Sequence, residues 1–548
     1  MNLRLFAPAF LLLIAVFLPV TGTAQTSDEP VFDRPNIVWI VAEDLGPYLP
    51  SFGDSTIETP NLSRLAAEGV RYTRVFSPSG VCAPSRAALA TGMYQNAIGA
   101  QHMRTGGNPR YFPEGVIPYE ARPAPGVKMH SEYMRMLGYY ATNNAKEDYQ
   151  FTKPLTAWDA SNNKAHWKNR PDPDQPFFAI FNLGVTHESQ IWARADDPLL
   201  VDANLDVPIP PYYPDTEVVR TDLRRMYSNI KIMDQQVGEL LDELEAAGEL
   251  ENTVIFWYAD HGGPLPRMKR LLYDSGMRVP MIVRFPNQWR AGEVDDQLVS
   301  FIDFKPTILS LAGMEPPSYL KGQGQAFLGP YKADTQRTYV HGAGDRFDGR
   351  YDLIRAVRDK RFKYLRNHMP ERGYYLPVRY REQMALMQEL LKMRDAGTLN
   401  EVQMQWFRPA KPLEELFDTA QDPHEINNLA ADPAYVEKLA ELRQEHDRWI
   451  AAIDDNGMVP EQEHIARVWP DGIQPAVTAP AGIRQGQFVS LTTATVGASI
   501  GYQVVRKGEA PTDHWMVYTA PVELKQGEEL IAVADHIGYV PSKIVRFN

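Results

Sequence analysis

The sequence predicts an α/β protein with a mostly parallel central sheet, then a small antiparallel subdomain, then an appended β-sandwich. Three observations carry this. The first half alternates apolar, strand-like runs with helical patterns, the signature of βαβ units. After about residue 335 the pattern changes to short strands with turns and two helices. Beyond a Pro/Gly-containing linker from Pro470 to Pro480, short strands recur at even spacing, as in a small sandwich. A chain of 548 residues exceeds what one core supports. The expected division is 31–335, 336–465 and 475–548.

The elements follow in order. Met1 to Arg4 is basic, Leu5 to Val20 is apolar, and small residues stand at Gly22 and Ala24. That pattern predicts a signal peptide over 1–24, hence a periplasmic or secreted protein. Asn36-Ile37-Val38-Trp39-Ile40-Val41 is a continuous apolar run suited to a strand buried on both faces. Thr59-Pro60 opens a helix that Gly69 closes, and Pro84 to Thr91 reads as a second helix with Gly92 after it. Tyr139 to Thr142, Phe177 to Leu183, Val254 to Tyr258 and Arg278 to Val283 are strands. Thr221 to Leu250 is a long amphipathic helix, with apolar Met226, Ile230, Met233, Val237, Leu240 and Leu241 on one face. Another helix is expected over Pro306 to Ala312. In the second part the strands are Thr338 to His341, Leu353 to Arg358 and Phe362 to Leu365, before helices at Arg381 to Asp395 and Pro433 to Asp454. The sandwich strands are Phe488 to Thr492, Ile500 to Val505, Met516 to Tyr518, Val522 to Leu524 and Leu530 to Ala534.

Composition narrows the function. The single cysteine, Cys82, excludes an intramolecular disulfide and any cysteine-rich zinc or iron–sulfur site. A net charge of −13 argues against nucleic acid as a partner, which needs a basic surface. No segment after the first is long and apolar enough for an integral membrane span.

Polar residues cluster just past the strand ends, where open α/β sheets bind ligands. Glu43-Asp44 follow the first strand, His187 follows Phe177 to Leu183, and Asp260-His261 follow Val254 to Tyr258. Carboxylates from two strands make an oxygen-rich site for a hard cation; in an exported protein Ca²⁺ is favoured over Mg²⁺. His261 adds a nitrogen or contacts substrate beside the metal. Cys82 stands just before a helix N-terminus, where free N–H groups favour an anion, and Arg86 lies one turn on. A buried, inert cysteine and an activated thiolate both remain open on chemistry alone.

The segment Val81-Cys82-Ala83-Pro84-Ser85-Arg86, with Thr91-Gly92 beyond, resembles the signature of type I, formylglycine-dependent sulfatases of the alkaline-phosphatase superfamily. The resemblance runs from about Arg34 to Leu429. It includes Pro35 to Val38, Thr59 to Leu62, Asp260-His261-Gly262, Lys269 through Pro280, and Glu415 to Asp418 with Asp422-Pro423. It implies an alkaline-phosphatase-like α/β sandwich and oxidation of Cys82 to 3-oxoalanine (formylglycine) by a formylglycine-generating or anaerobic maturation enzyme. It also implies a Ca²⁺ site of Glu43, Asp44, Asp260, His261 and modified Cys82, with Arg86 stabilising the aldehyde hydrate. Lys146, Lys269 and His187 match positions that grip sulfate and protonate the leaving alkoxide. Two departures stand out. Glu43 replaces an aspartate, and Ala145-Lys146-Glu147-Asp148 lacks the family's histidine, whose place Asp148 or His102 would take.

For substrate, Gln101 to Arg104, Trp158, His166-Trp167 and Gly344-Asp345-Arg346 supply basic and aromatic groups of the kind that bind acidic sugars. His102 and Arg104 resemble positions near the sulfate subsite of heparan N-sulfatase-like proteins, and Arg346 is a further candidate. The expected substrate is a sulfated carbohydrate, a polysaccharide or glycosaminoglycan-type oligosaccharide. N-sulfate hydrolysis, phosphate- or phosphonate-ester hydrolysis, and a non-catalytic glycan-binding protein are the alternatives.

Overall fold

Apolar runs without alternation become strands that meet protein on both sides, and β1 (Asn36–Ala42) is buried at all seven positions. Full burial of each of its large apolar side chains contributes about 1.5–3 kcal/mol. The computed structural model describes residues 32–106 and 112–548; the expected signal peptide over 1–24 lies outside the described residues. β2 (Val70–Phe76), β3 (Tyr140–Asn144), β4 (Ala160–Ser161), β5 (Phe177–Leu183), β6 (Thr253–Ala259), β7 (Arg278–Arg284), β8 (Val294–Asp295) and β9 (Val299–Ser300) complete a nine-stranded sheet. Its order is β4-β3-β5-β1-β6-β7-β2-β8, with β9 also on β2. The run from β4 to β6 is parallel. β7 is antiparallel to both β6 and β2, so the sheet is mixed on that side.

Register sets the level of the site. Ala42 at the end of β1 pairs with Leu183 of β5 and with Ala259 of β6. The residues that follow these three strands therefore leave the sheet side by side. Helix α1 (Pro60–Glu68) starts with proline at its first position, as expected. Helix α2 (Cys82–Thr91) is buried along its whole length. Four alanines let it pack tightly, and Gly92 ends it at φ 70° with its N–H on the Ala88 carbonyl. The long helix spans Glu217–Ala246 rather than 221–250, because the Thr216 side chain caps its start by accepting from the Val219 N–H.

A second, antiparallel sheet runs in chain order through β10 (Val340–Gly344), β11 (Ile354–Arg358), β12 (Phe362–Asn367) and β13 (Glu414–Asp418). The C-terminal strands are β14 (Ala481–Gln485), β15 (Phe488–Thr492), β16 (Ser499–Arg506), β17 (Met516–Val517), β18 (Val522–Glu523), β19 (Glu528–Asp535) and β20 (Val545–Phe547). They form two sheets, β14-β15-β18 and β17-β16-β19-β20, around a separate apolar cluster that includes Val489, Leu491, Ile500 and Leu530. This sandwich is tied to the first part by polar bonds: Lys128 Nζ donates to Gly497 O (2.7 Å) and Ser499 Oγ (2.8 Å), and Ser499 Oγ to Glu132 Oε1 (2.6 Å). Gly497 sits at φ 81°, and a Cβ there would run into the Gly126 backbone. Among the described residues no helix is long and apolar enough to cross a membrane.

Candidate active site

The strand ends and the start of α2 converge on one point. Asp44, Cys82, Asp260 and His261 place ligand atoms within 4.8 Å of one another, all buried. Cys82 Sγ lies 3.3 Å from His261 Nε2 and 3.8 Å from Asp44 Oδ1. Asp44, at φ 49°, is held by its surroundings: its N–H donates to Asp260 Oδ1 (3.0 Å), and the Glu188 N–H donates to its Oδ2 (2.7 Å). Ser85 Oγ donates to the Asp260 carbonyl at 2.6 Å and fixes α2 against β6. Arg86 Nε donates to Asp260 Oδ2 (3.0 Å), and Nη1 to Asn182 Oδ1 (2.7 Å). Its Nη2 is buried without a hydrogen-bond partner, 3.9 Å from Glu43 Oε1.

Two lysines bring positive charge. Lys269 Nζ is 2.6 Å from Asp44 Oδ2, 3.2 Å from Glu188 Oε1 and 3.3 Å from His187 Nε2. Lys146 Nζ is 2.8 Å from Glu43 Oε2. Glu43 therefore stands aside from the four-residue group, paired to Lys146, although the sequence places it among the metal ligands. His187 Nδ1 is 2.8 Å from Ser189 Oγ, which orients the ring.

The fields are strong because the groups are desolvated. Burial alone would raise the Cys82 thiol; Lys146 and Lys269 outweigh it and bring its pKa down to about 6. Burial opposes ionisation of Asp44, yet Lys269 with His187 and His261 holds it well below the usual carboxylate range. His261, where burial favours the neutral ring, is pushed up to about 10 by Asp260 and Asp44. For His187, burial and Lys269 press downward, but Asp44 and Cys82 hold its pKa above the ordinary value.

The donor set fits a hard dication. Two carboxylates with no solvent contact and an imidazole face one another and demand positive charge.

A cavity of about 480 Å³ lies beside this centre, lined by Glu43, Arg104, Lys146, Asp148, Gly184, His187 and Gln190. Arg104 and Asp148 are thus on the cavity wall, 3.6 Å apart. His102 and Arg346 are not. Arg346 is fully buried and forms a bidentate pair with Glu461, Nε and Nη2 each at 2.7 Å. His102 Nδ1 accepts from the Arg346 N–H at 3.3 Å, and burial drives its pKa down to about 3. Both side chains are buried, engaged with each other and Glu461, and line neither this cavity nor its neighbour, unlike the substrate contacts expected of them. Trp158 stacks on Phe178 (6.0 Å) and Trp167 on Phe177 (5.0 Å), so both belong to the core.

Several site residues were missed. Glu188 pairs with Arg270 through two bonds (2.8 and 2.7 Å) and steadies Lys269; Asn182 orients Arg86. The signal for the first two was adjacency to His187 and Lys269; for Asn182 it was a polar residue at the end of an apolar strand.

A mixed α/β sheet with this cluster at its carboxyl edge is the arrangement of a hydrolase of anionic esters. The sulfatase family profile matches residues 35–314, and that of the N-sulphoglucosamine sulphohydrolase C-terminal part matches 267–376. The chain belongs to the sulfatase family, the sulfuric ester hydrolases. It is 49% identical to an ulvan-active sulfatase of Formosa agariphila over 94% of this chain and 91% of the relative. It is 26% identical to the human N-sulphoglucosamine sulphohydrolase, over 76% of this chain and 92% of that one. Two solved structures share the fold. One, in complex with its substrate D-glucosamine-2-N,6-O-disulfate, has a TM-score of 0.55 at 16% identity and covers 78% of this chain and 99% of its own. The other, a 2-O GAG sulfatase, has a TM-score of 0.56 at 20% identity, with 78% and 94% covered.

Proposed function

We propose that the protein is an exported carbohydrate sulfatase in which Cys82 is matured to 3-oxoalanine by a separate enzyme and a Ca²⁺ ion is bound beside it. The observation that carries this reading is the meeting of Cys82 with Asp44, Asp260 and His261 within 4.8 Å, with Lys269 on Asp44 and, close by, the Glu43–Lys146 pair that lines the first cavity. Asp44, Asp260 and His261 would hold the ion, with Glu43 near enough to join by releasing Lys146. When present, the ion would neutralise charge on the sulfate oxygens, and the oxoalanine hydrate would supply the attacking oxygen.

The chain's own residues account for the rest. Lys146 and Lys269 flank the space beside position 82 and would balance sulfate charge, which grows on the bridging oxygen as the S–O bond breaks. His187, 3.3 Å from Lys269 and on the cavity wall, would deliver its proton to the leaving alkoxide. Arg86, fixed by Asp260 and Asn182, keeps one N–H free for an oxygen on residue 82.

A carbohydrate substrate is supported by the ulvan-active relative, which is alike over nearly the whole chain. A second reading, N-sulfate hydrolysis, rests on the match of 267–376 to N-sulphoglucosamine sulphohydrolase. Sulfate release from matched O-sulfated and N-sulfated oligosaccharides tests both. O-sulfate release is expected; release from the N-sulfated set alone would install the second reading, and release from neither would refute both.

A further inference from the structure

The cleft does not end at the sulfate cavity. A second cavity of about 710 Å³ adjoins it, and Arg104 and His187 line both. His187 is shared by the two cavities; within the second it stands 3.3 Å from Lys269 and 6.4 Å, ring to ring, from Tyr380. An alcohol taking its proton from His187 therefore extends into the second cavity. Tyr380 is 41% exposed and braced edge-on by Trp192 at 5.2 Å, which leaves an aromatic surface free for a sugar ring.

Two arginines on the same wall make no ion pair among the described residues, although Asp348 lines the cavity with them. Arg350 sits in a tight hairpin, its N–H and carbonyl both bonded to Phe347. Its Nε donates to the Pro377 carbonyl at 3.1 Å, which anchors the guanidinium while the terminal nitrogens make no bond to described residues. Arg379 is exposed and makes no ion pair among the described residues. By contrast, Arg270 on that wall is neutralised by Glu188. Paired arginines build a wall, whereas a fixed and unpaired guanidinium fork beside an open aromatic ring suits an oxyanion on a sugar.

We propose that the second cavity holds the leaving carbohydrate, and that Arg350 and Arg379 bind a second anionic group on it, a carboxylate or a further sulfate, while Tyr380 stacks on its ring. This rests on the carbohydrate sulfatase reading. The site would select polyanionic sugars over singly charged ones.

The test compares wild type, Arg350→Ala/Arg379→Ala and Tyr380→Ala on four substrates. These are a sulfated oligosaccharide bearing uronate carboxylates and a second sulfate, its carboxyl-reduced form, its form lacking the second sulfate, and a simple aryl sulfate. On the polyanionic oligosaccharide the double variant should lose roughly 10- to 100-fold more kcat/KM than it loses on aryl sulfate. Wild type should fall by a similar factor when the recognised group is removed, and whichever removal causes the fall identifies carboxylate or sulfate. Tyr380→Ala should lose on all three oligosaccharides alike, relative to aryl sulfate. Equal wild-type rates on all three oligosaccharides would overturn the proposal and leave the carbohydrate reading standing. Release from no oligosaccharide, with aryl sulfate still cleaved, would overturn that reading and the proposal together.

Discussion

Two buried ionic networks in this molecule use the same residue types to different ends. Around Arg346 every charge is matched: Glu461 takes two of the guanidinium bonds, the Met103 and Asp348 carbonyls take the others, and Glu461 also accepts from Tyr119 and Tyr351, with His102 packed alongside. Around Cys82 the groups crowd rather than pair. Asp44 alone faces Lys269, His261 and His187, Arg86 keeps an unsatisfied N–H, and the whole opens on a cavity. A closed network holds elements together, whereas an open one keeps electrostatic capacity for a ligand. The lesson is that an arginine–histidine pair is not a binding site until its partners are known.

Mutations should separate the two networks sharply. Cys82→Ala should cut sulfate release by on the order of 10⁴-fold or more while the melting temperature moves little; substantial release by that variant would refute the assigned nucleophile. His187→Ala should cost about 10²- to 10⁴-fold in kcat, with less loss on aryl sulfates whose leaving group needs no proton. An equal loss on good and poor leaving groups would remove His187 from the acid role. Arg346→Met should do the reverse, destabilising the fold by about 3–5 kcal/mol because Glu461 is left buried without its cation. Its activity per folded molecule should stay near wild type, and denaturant unfolding alongside kinetics checks both halves.

The smallest effect belongs to the seam of the sandwich. Asp535, buried and accepting from the Leu155 and His536 N–H groups, has its pKa pushed up by burial to about 7. The native state then holds a proton that the unfolded chain has already lost, so this group makes stability fall as pH rises from about 4 to about 7. Asp535→Asn should flatten that slope in a pH series of melting temperatures; an unchanged slope would show the carboxyl ionises normally.

Much of the fold was legible because burial on both faces leaves no alternation to misread. β5 has the predicted bounds, and β1 and β6 extend theirs by only one or two residues. β2 was not legible: Val70 to Phe76 carries Arg71 and Arg74 at half-buried positions, so it lacks a clean apolar run. The helix Glu461–Val468 was hidden by its polar sequence, since Glu461 faces inward to meet Arg346. At the site, residues carried by strand ends and the Cys82 motif could be named from local pattern. Tyr380, Arg350 and Arg379 could not, because loops distant in sequence bring them to His187 only through tertiary packing. The partner of Glu43 was not legible either: its neighbour Asp44 turns to the centre while Glu43 turns to Lys146.

In the proposed mechanism position 82 works as an oxidised residue and not as a thiol. The mass of the peptide containing Cys82, taken from active protein, decides between them. Loss of sulfur and two hydrogens with gain of one oxygen is expected, in proportion to sulfate-releasing activity. An unmodified cysteine in fully active protein would contradict it.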